Sequence, residues 1–197
     1  MVSNFDLPRE NNIEIEYDDS VYSPEYSSID TIVLADQYLK PGFKVIDVGC
    51  GSGKIACSLA LLHPHSFVFA QDPSADAREM TKRNADRLEL DISILEEFDG
   101  FNLFSMVVAN LPTFDKADMK THPLHGPKEA YFADNRDGLK LYRKLFKDCR
   151  TAIKPGGFLV IECQQKLQDK LRELSEKEGY LLITRTEFSF AFVNPLR

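Results

Sequence analysis

Residues Val45-Ile-Asp-Val-Gly-Cys-Gly-Ser-Gly53 place glycine at three alternate positions, Gly49, Gly51 and Gly53, directly after a short apolar run. Glycine adopts positive φ readily and has no Cβ, so this stretch can turn tightly and let a ligand lie against its main chain. The segment Lys54-Ile-Ala-Cys-Ser-Leu-Ala-Leu-Leu62 that follows reads as a helix. Its first N–H groups have no intrahelical partners and are expected to be free at the loop. Spacing narrows the ligand. A phosphate loop needs Gly, four residues, then Gly-Lys-Ser/Thr, whereas Val48 stands at the first of these glycines and Ile55 follows Lys54. The dinucleotide fingerprint needs a small residue where this chain has Lys54.

The remaining pattern, Asp47-x-Gly-x-Gly-x-Gly53, resembles motif I of class I S-adenosylmethionine-dependent methyltransferases. The resemblance implies that Asp47, Gly49, Cys50, Gly51 and Gly53 pack on the amino-acid end of S-adenosyl-L-methionine. It further implies an acidic residue at the end of the second strand for the ribose hydroxyls. Phe67-Val-Phe-Ala-Gln-Asp72 supplies Asp72, with Pro73 beside it. Taken alone, Asp72 equally suits an N-cap for a helix from Ala75 onward. Cys50 reads as a small neutral filler and no nucleophile, because no partner base is evident. After the third strand the family often places a polar residue near the adenine. Glu96 or Glu97 could serve there, or the two could form a solvated charge pair.

A second constellation is Val107-Val-Ala-Asn110-Leu-Pro-Thr-Phe114. Ligands in open α/β sheets sit beyond the carboxyl ends of the strands, so Asn110 is expected to face the same crevice as the glycine loop. The plainer reading is an Asn capping a strand end before an X-Pro turn. Amino-group methyltransferases carry Asn/Asp-Pro-Pro-Tyr/Phe at this place, and this chain has Asn110-Leu111-Pro112-Thr113 followed by Phe114. Val21-Tyr-Ser-Pro24 and Asp30-Thr-Ile-Val-Leu34 upstream, with Pro127-Lys-Glu-Ala130 and Asp137-Gly-Leu-Lys-Leu-Tyr-Arg143 downstream, are similar to the HemK-like branch. Its members are protein-glutamine methyltransferases that modify peptide release factors. The similarity runs from about Val21 to Val193.

That resemblance implies methyl transfer to a planar nitrogen, with a glutamine side chain of a protein such as a release factor as acceptor. An amide nitrogen is a poor nucleophile because its lone pair is delocalised, so catalysis consists mainly of positioning and charge placement. The Asn110 side-chain oxygen and the Leu111 carbonyl would take the two N–H bonds and aim the lone pair. Pro112 pushes Leu111 into an extended conformation, which sets that carbonyl's direction. Two departures stand out. Leu111 replaces a proline whose φ would be locked, and Thr113 stands where an aromatic should stack. Phe114 supplies that face if the loop is shifted by one residue. Two rival readings are an RNA or DNA amino-group methyltransferase and a non-catalytic relative that keeps the fold as a binding surface. Some short members of the branch require a small activating partner.

The elements that must position these residues follow from periodicity. Ile13-Glu-Ile-Glu-Tyr17 alternates as an edge strand, and Ile29 to Leu39 has helical spacing ended by Pro41-Gly42. Strands are predicted at 43–48, 66–71, 92–95 and 103–109, and helices at 54–62 and 75–87. A helix over 137–153 is stopped by Lys154-Pro-Gly-Gly157, before a strand at 158–162, a helix over 165–178, and a closing hairpin of 180–185 with 187–193. Such alternation predicts an α/β, Rossmann-like seven-stranded sheet, mostly parallel, with helices on both faces and an antiparallel C-terminal strand. Residues 1–27 read as an N-terminal extension and 28–197 as one methyltransferase domain. The irregular stretch from Leu111 to Asn135 is long enough to suggest function.

Composition sets the remaining bounds. The 197 residues are 43% hydrophobic and 28% charged, as in a globular protein. No apolar run approaches the ~20 residues of a membrane span, and the N-terminus lacks a signal-peptide pattern. The four cysteines form no C-x-x-C pair and read as reduced thiols in a cytoplasmic protein. A formal charge of −7 disfavours nucleic acid as partner. His63-Pro-His65 and His122-Pro-Leu-His125 lack the further ligands a metal needs and read as loop histidines, the second pair near substrate.

Overall fold

Strands that are apolar along their whole length can be buried only between two layers, and the chain folds accordingly. The computed structural model describes residues 1–22, 26–98, 100, 103–121, 124–133 and 136–195. Ser23 and Pro24 of the upstream resemblance, and His122, lie outside them. The strands β3 (Lys44–Val48), β4 (Phe67–Gln71), β5 (Ile92–Leu95), β6 (Phe104–Ala109), β7 (Ile153–Glu162), β8 (Leu181–Arg185) and β9 (Ser189–Val193) form one seven-stranded sheet. Its order is β5-β4-β3-β6-β7-β9-β8. The five strands from β5 to β7 pair in parallel, and β9 runs antiparallel to both of its neighbours. This is the sheet the alternation predicts.

Successive residues of each strand feed opposite faces. Val45, Met106, Val108 and Val160 join a core with α1 (Ser28–Asp36), α2 (Lys54–Leu62) and α3 (Ala75–Arg87). Ile46, Val48, Val107 and Ala109 join another with α5 (Lys140–Ala152) and α6 (Gln168–Lys177). Helix α5 buries Tyr142, Leu145, Phe146, Cys149 and Ala152, the spacing of an apolar stripe.

Several boundaries differ from the predicted ones, among them the end of α1 at Asp36 and the starts of α6 at Gln168 and β9 at Ser189. Helix α5 begins at Lys140 and not at Asp137, because Gly138 has φ +71 and sits against the Thr113 carbonyl, where a Cβ would lie 2.3 Å from that oxygen. Strand β7 starts at Ile153 and runs through Lys154-Pro-Gly-Gly157 instead of stopping there. Ile153 pairs with Phe104, and the extra residues are absorbed by a register shift before Met106↔Phe158. The long segment after Asn110 contains α4 (Asp118–Thr121) and a 3-10 turn, Lys128–Ala130.

The N-terminus holds a strand that periodicity missed. β1 (Val2–Asp6) pairs with β2 (Asn12–Glu16) in a separate two-stranded sheet, so β2 is no edge strand of the main sheet. Phe5, Leu7, Ile13 and Ile15 are buried in the same core as Val45 and Leu59. Asn84 of α3 clamps this hairpin to the glycine loop. Its Nδ2 donates to the Glu16 carbonyl at 2.8 Å and the Ser52 carbonyl at 2.9 Å, while Oδ1 accepts from the Glu16 N–H at 2.9 Å. Asn84→Ala strands these main-chain groups and is expected to cost about 2–3 kcal/mol, read as a lower urea midpoint at unchanged slope.

Candidate active site

The carboxyl ends of β3, β4, β5, β6 and β7 open into a cavity of about 1540 Å³. The register pairs Val48 with Gln71 on one side and with Ala109 on the other. The glycine loop therefore leaves the sheet between Asp72 and Asn110.

Gly49, Gly51 and Gly53 all have positive φ, +78, +54 and +81, and each faces a different neighbour. A Cβ on Gly49 would stand 2.8 Å from Leu111 Cδ2, and one on Gly53 2.8 Å from Thr81 Cγ2, whereas one on Gly51 would meet nothing within 4 Å. Gly49, Cys50 and Gly51 line the cavity along with Ser52, Lys54 and Ile55, and Gly53 packs behind them on α3.

The sequence suggests free N–H groups at the start of α2; there Asp47 takes that of Ala56, and several N–H groups of the loop itself are engaged as well. Gly49 and Cys50 both donate to the Gln71 carbonyl at 2.8 and 3.0 Å, and Gly53 donates to the Cys50 carbonyl at 2.7 Å. Gly51 donates to Asp72 Oδ2 at 3.1 Å. The loop thus offers bare main chain on which the donors of Gly49, Cys50, Gly51 and Gly53 are engaged. The Thr81 hydroxyl secures its back, its single proton shared between the Gly51 carbonyl at 3.1 Å and Cys50 Sγ at 3.2 Å. Burial pushes the Cys50 thiol well above its usual value, so it stays neutral.

Of the expected cofactor carboxylates, Asp72 lines the cavity and Asp47 does not. Asp47 is buried beneath the loop, where Oδ2 accepts from the Ala56 N–H at 3.1 Å, pinning the first turn of α2. Its Oδ1 has no hydrogen-bond partner. Desolvation pushes the Asp47 carboxyl up to about 7, with the nearby Asp72 charge adding to the effect. Asp72 is also raised, again mainly by burial, against hydrogen bonds from Ser74 and Gly51. The helix cap that Asp72 alone could have supplied belongs to Ser74, whose side chain accepts from the Ala77 N–H. Pro73, Glu96, Glu97 and Phe98 continue the same wall.

Across the cavity stand Asn110, Leu111, Pro112, Thr113 and Phe114. Thr113 is buried and Phe114 half-buried. Phe114 is tied down on both sides, its N–H to the Tyr131 carbonyl and its own carbonyl to the Ala133 N–H, each at 2.9 Å. Its ring centroid lies 5.6 Å from that of Tyr131, which in turn meets Tyr22 edge-on at 4.8 Å. Tyr22, Tyr131 and Phe132 complete an aromatic wall that the sequence did not single out. The adjacent aromatics 131–132 inside the long loop were its one available signal. His125 is not among the lining residues; its main chain bonds the Tyr131 hydroxyl. His63 lies elsewhere, against Asp36 at 2.9 Å. Among the described residues no cluster of His, Cys, Asp or Glu could hold a metal.

Two predictions follow from the loop's geometry. Gly53→Ala should cost about 2–5 kcal/mol of stability through φ plus the Thr81 contact, whereas Gly51→Ala, with open space and only φ against it, should cost about 1–2 kcal/mol. Thermal unfolding distinguishes them. Asp47 gives a signed pH effect. Its folded value of about 7 exceeds the unfolded one, so this group stabilises the fold least at high pH, and stability is lost as pH rises from about 4 to about 7. The difference in Tm between Asp47→Asn and wild type should therefore grow in the variant's favour across that window and level off above it.

Residues 12–125, more than half of the chain, match the methyltransferase small domain family. The chain is 32% identical over 162 residues to a release factor glutamine methyltransferase of Streptococcus pneumoniae, covering 78% of this chain and 57% of that protein. It is 34% identical over 147 residues to a bifunctional methyltransferase of Rickettsia felis, covering 70% of this chain and 28% of that one. The chain thus spans between about a quarter and somewhat over half the length of these relatives. In fold it is similar to a methyltransferase of Pyrococcus furiosus, with a TM-score of 0.66 at 17% identity over 92% of this chain and 89% of the other. It is also similar to the ribosomal protein L11 methylase of Lactobacillus delbrueckii, with a TM-score of 0.65 at 15% identity over 88% and 80%. Both the motifs at the strand ends and these matches lead to one assignment: the chain belongs to the methyltransferase small domain family, in its HemK-like branch.

Proposed function

We propose that this chain is an S-adenosylmethionine-dependent N-methyltransferase whose acceptor is a planar nitrogen, and specifically the glutamine side chain of a protein. The observation that carries this reading is the meeting of two loops in one cavity: bare glycine main chain on one side, Asn110 and the Leu111–Pro112 peptide on the other. The residues present fit the cofactor. Open space at Gly51 admits a ligand against the main chain. The Asp72, Glu96 and Glu97 carboxylates line the same wall and suit a ligand that bears positive charge and hydroxyl donors. Gly49, Cys50, Gly51, Asp72 and Pro73 would hold it directly, with Asp47 and Gly53 shaping the loop from behind. When bound, S-adenosylmethionine supplies a methyl on a sulfonium, already a strong electrophile.

The chain's own residues would then orient the acceptor. Asn110 Oδ1 and the Leu111 carbonyl accept the two amide N–H bonds, which directs the nitrogen lone pair away from both. The Phe114 ring, held by Tyr131, offers a face for the planar amide. The release factor glutamine methyltransferases to which the chain is similar support glutamine as the acceptor, and the net charge of −7 favours a protein over a polyanion. No described helix is long and apolar enough to cross a membrane.

Calorimetric titration with S-adenosylmethionine should give saturable heat, and labelled methyl should pass to a glutamine-containing protein fraction. Asn110→Ala should lower kcat about 100-fold or more with cofactor affinity nearly unchanged. Phe114→Ala should act mainly on KM for the acceptor. Absence of cofactor heat at millimolar concentration rejects the proposal, and label appearing in RNA alone rejects the glutamine assignment.

A further inference from the structure

Leu111 stands where the amino-group motif has proline, so its main chain has an N–H and an unlocked φ. The structure shows what that N–H does: it donates to the Tyr142 hydroxyl at 3.2 Å. The same hydroxyl donates to the Glu162 carbonyl. Tyr142 is fully buried in α5 and does not line the cavity. The pairing of β6 with β7 ends at Ala109↔Ile161, and the hydroxyl sits between the main-chain groups just beyond, using its donor and its acceptor at once. Leu111 is held on a second side as well, since its Cδ2 occupies the space a Cβ on Gly49 would need.

We propose that Tyr142 is a positioning residue that fixes the Leu111 peptide in place of the missing proline ring, and so sets the direction of the Leu111 carbonyl. The inference rests on the proposed role of that carbonyl as an acceptor for the substrate amide. With the N–H held by Tyr142 and the following bond constrained by Pro112, both ends of the Leu111 residue are fixed. Burial pushes the Tyr142 hydroxyl well above its ordinary value, so it remains protonated and keeps donating to Glu162. A sequence with proline at 111 has no N–H to offer, and there the tyrosine could act only through Glu162.

Tyr142→Phe preserves the packed ring and deletes only the hydroxyl. It should lower kcat about tenfold, the effect of one lost hydrogen bond on a positioned group, while cofactor Kd stays within about twofold. The discriminating measurement is the cycle with Leu111→Pro. In that background, Tyr142→Phe should change kcat by no more than about twofold, because the N–H it served is gone. An equal loss in both backgrounds, or no loss in either, overturns the proposal. Hydrogen exchange of the Leu111 amide, read by NMR, needs no turnover and separates this inference from the functional one. Protection should fall at Leu111 in Tyr142→Phe while Val107 and Val108 keep theirs, and unchanged protection at Leu111 also overturns it.

Discussion

The two loops that frame the cavity touch at a point where no side chain fits. Because Val48 and Ala109 are direct partners in a parallel ladder, Gly49 and Asn110 leave the sheet side by side, and Leu111 closes over Gly49. The glycine is therefore demanded twice, by its own φ of +78 and by the neighbouring loop. This contact sets the separation of the cavity's two halves. For the methyl transfer proposed above, a reaction limited by orientation, that separation is the quantity a fold most needs to hold.

Electrostatics act in the same direction. Main-chain N–H groups at such a loop commonly bind phosphate, but here Gln71 and Asp72 have taken those of Gly49, Cys50 and Gly51. Asp72, Glu96 and Glu97 line the wall, and burial raises both Asp72 and Asp47. Ionised carboxylates in that setting are costly, and a cation nearby would lower the cost where an anion would raise it. The spacing of the glycines argues against a phosphate ligand for reasons of sequence. The occupied donors of Gly49, Cys50 and Gly51 and the desolvated Asp72 and Asp47 carboxylates argue against it for reasons of charge, and the two arguments are independent.

On the Asn110 side of the cavity the chain departs from the resembled motif at two positions, and packing holds both. Thr113 is buried where a stacking aromatic belongs to the family pattern, and Phe114, one residue on, lines the cavity. Its backbone is fastened to Tyr131 and Ala133, so the ring is presented from a fixed strand-like bridge. Leu111, lacking a proline's locked φ, is held instead by the Tyr142 hydroxyl and by contact with the glycine loop. Residues distant in the chain, Tyr131 and Ala133 in one case and Tyr142 in the other, hold both positions.

Local pattern was enough for whatever is repeated locally. Period-2 and period-3.6 apolar spacing located β3 to β6 and α2 and α3 within a residue or so, because burial on a given face is written at fixed intervals. Glycine at alternate positions located the loop, because that residue adopts such main-chain angles at least cost and has no Cβ to block a close approach. The pattern misplaced the start of α5 and of β7, where Gly138 answers to Thr113 and Ile153 to Phe104, and it missed β1, which pairs with β2 and buries Phe5 in the core. It could not say that Asp47 faces inward while Asp72 faces the crevice, nor that Tyr22 and Tyr131 share a wall with Phe114. The sequence by itself determined the sheet, its two loops and the class of ligand they suit. The tertiary structure alone decided which donors are spent, which carboxylates are buried and which distant rings converge, because those depend on neighbours that only packing brings together.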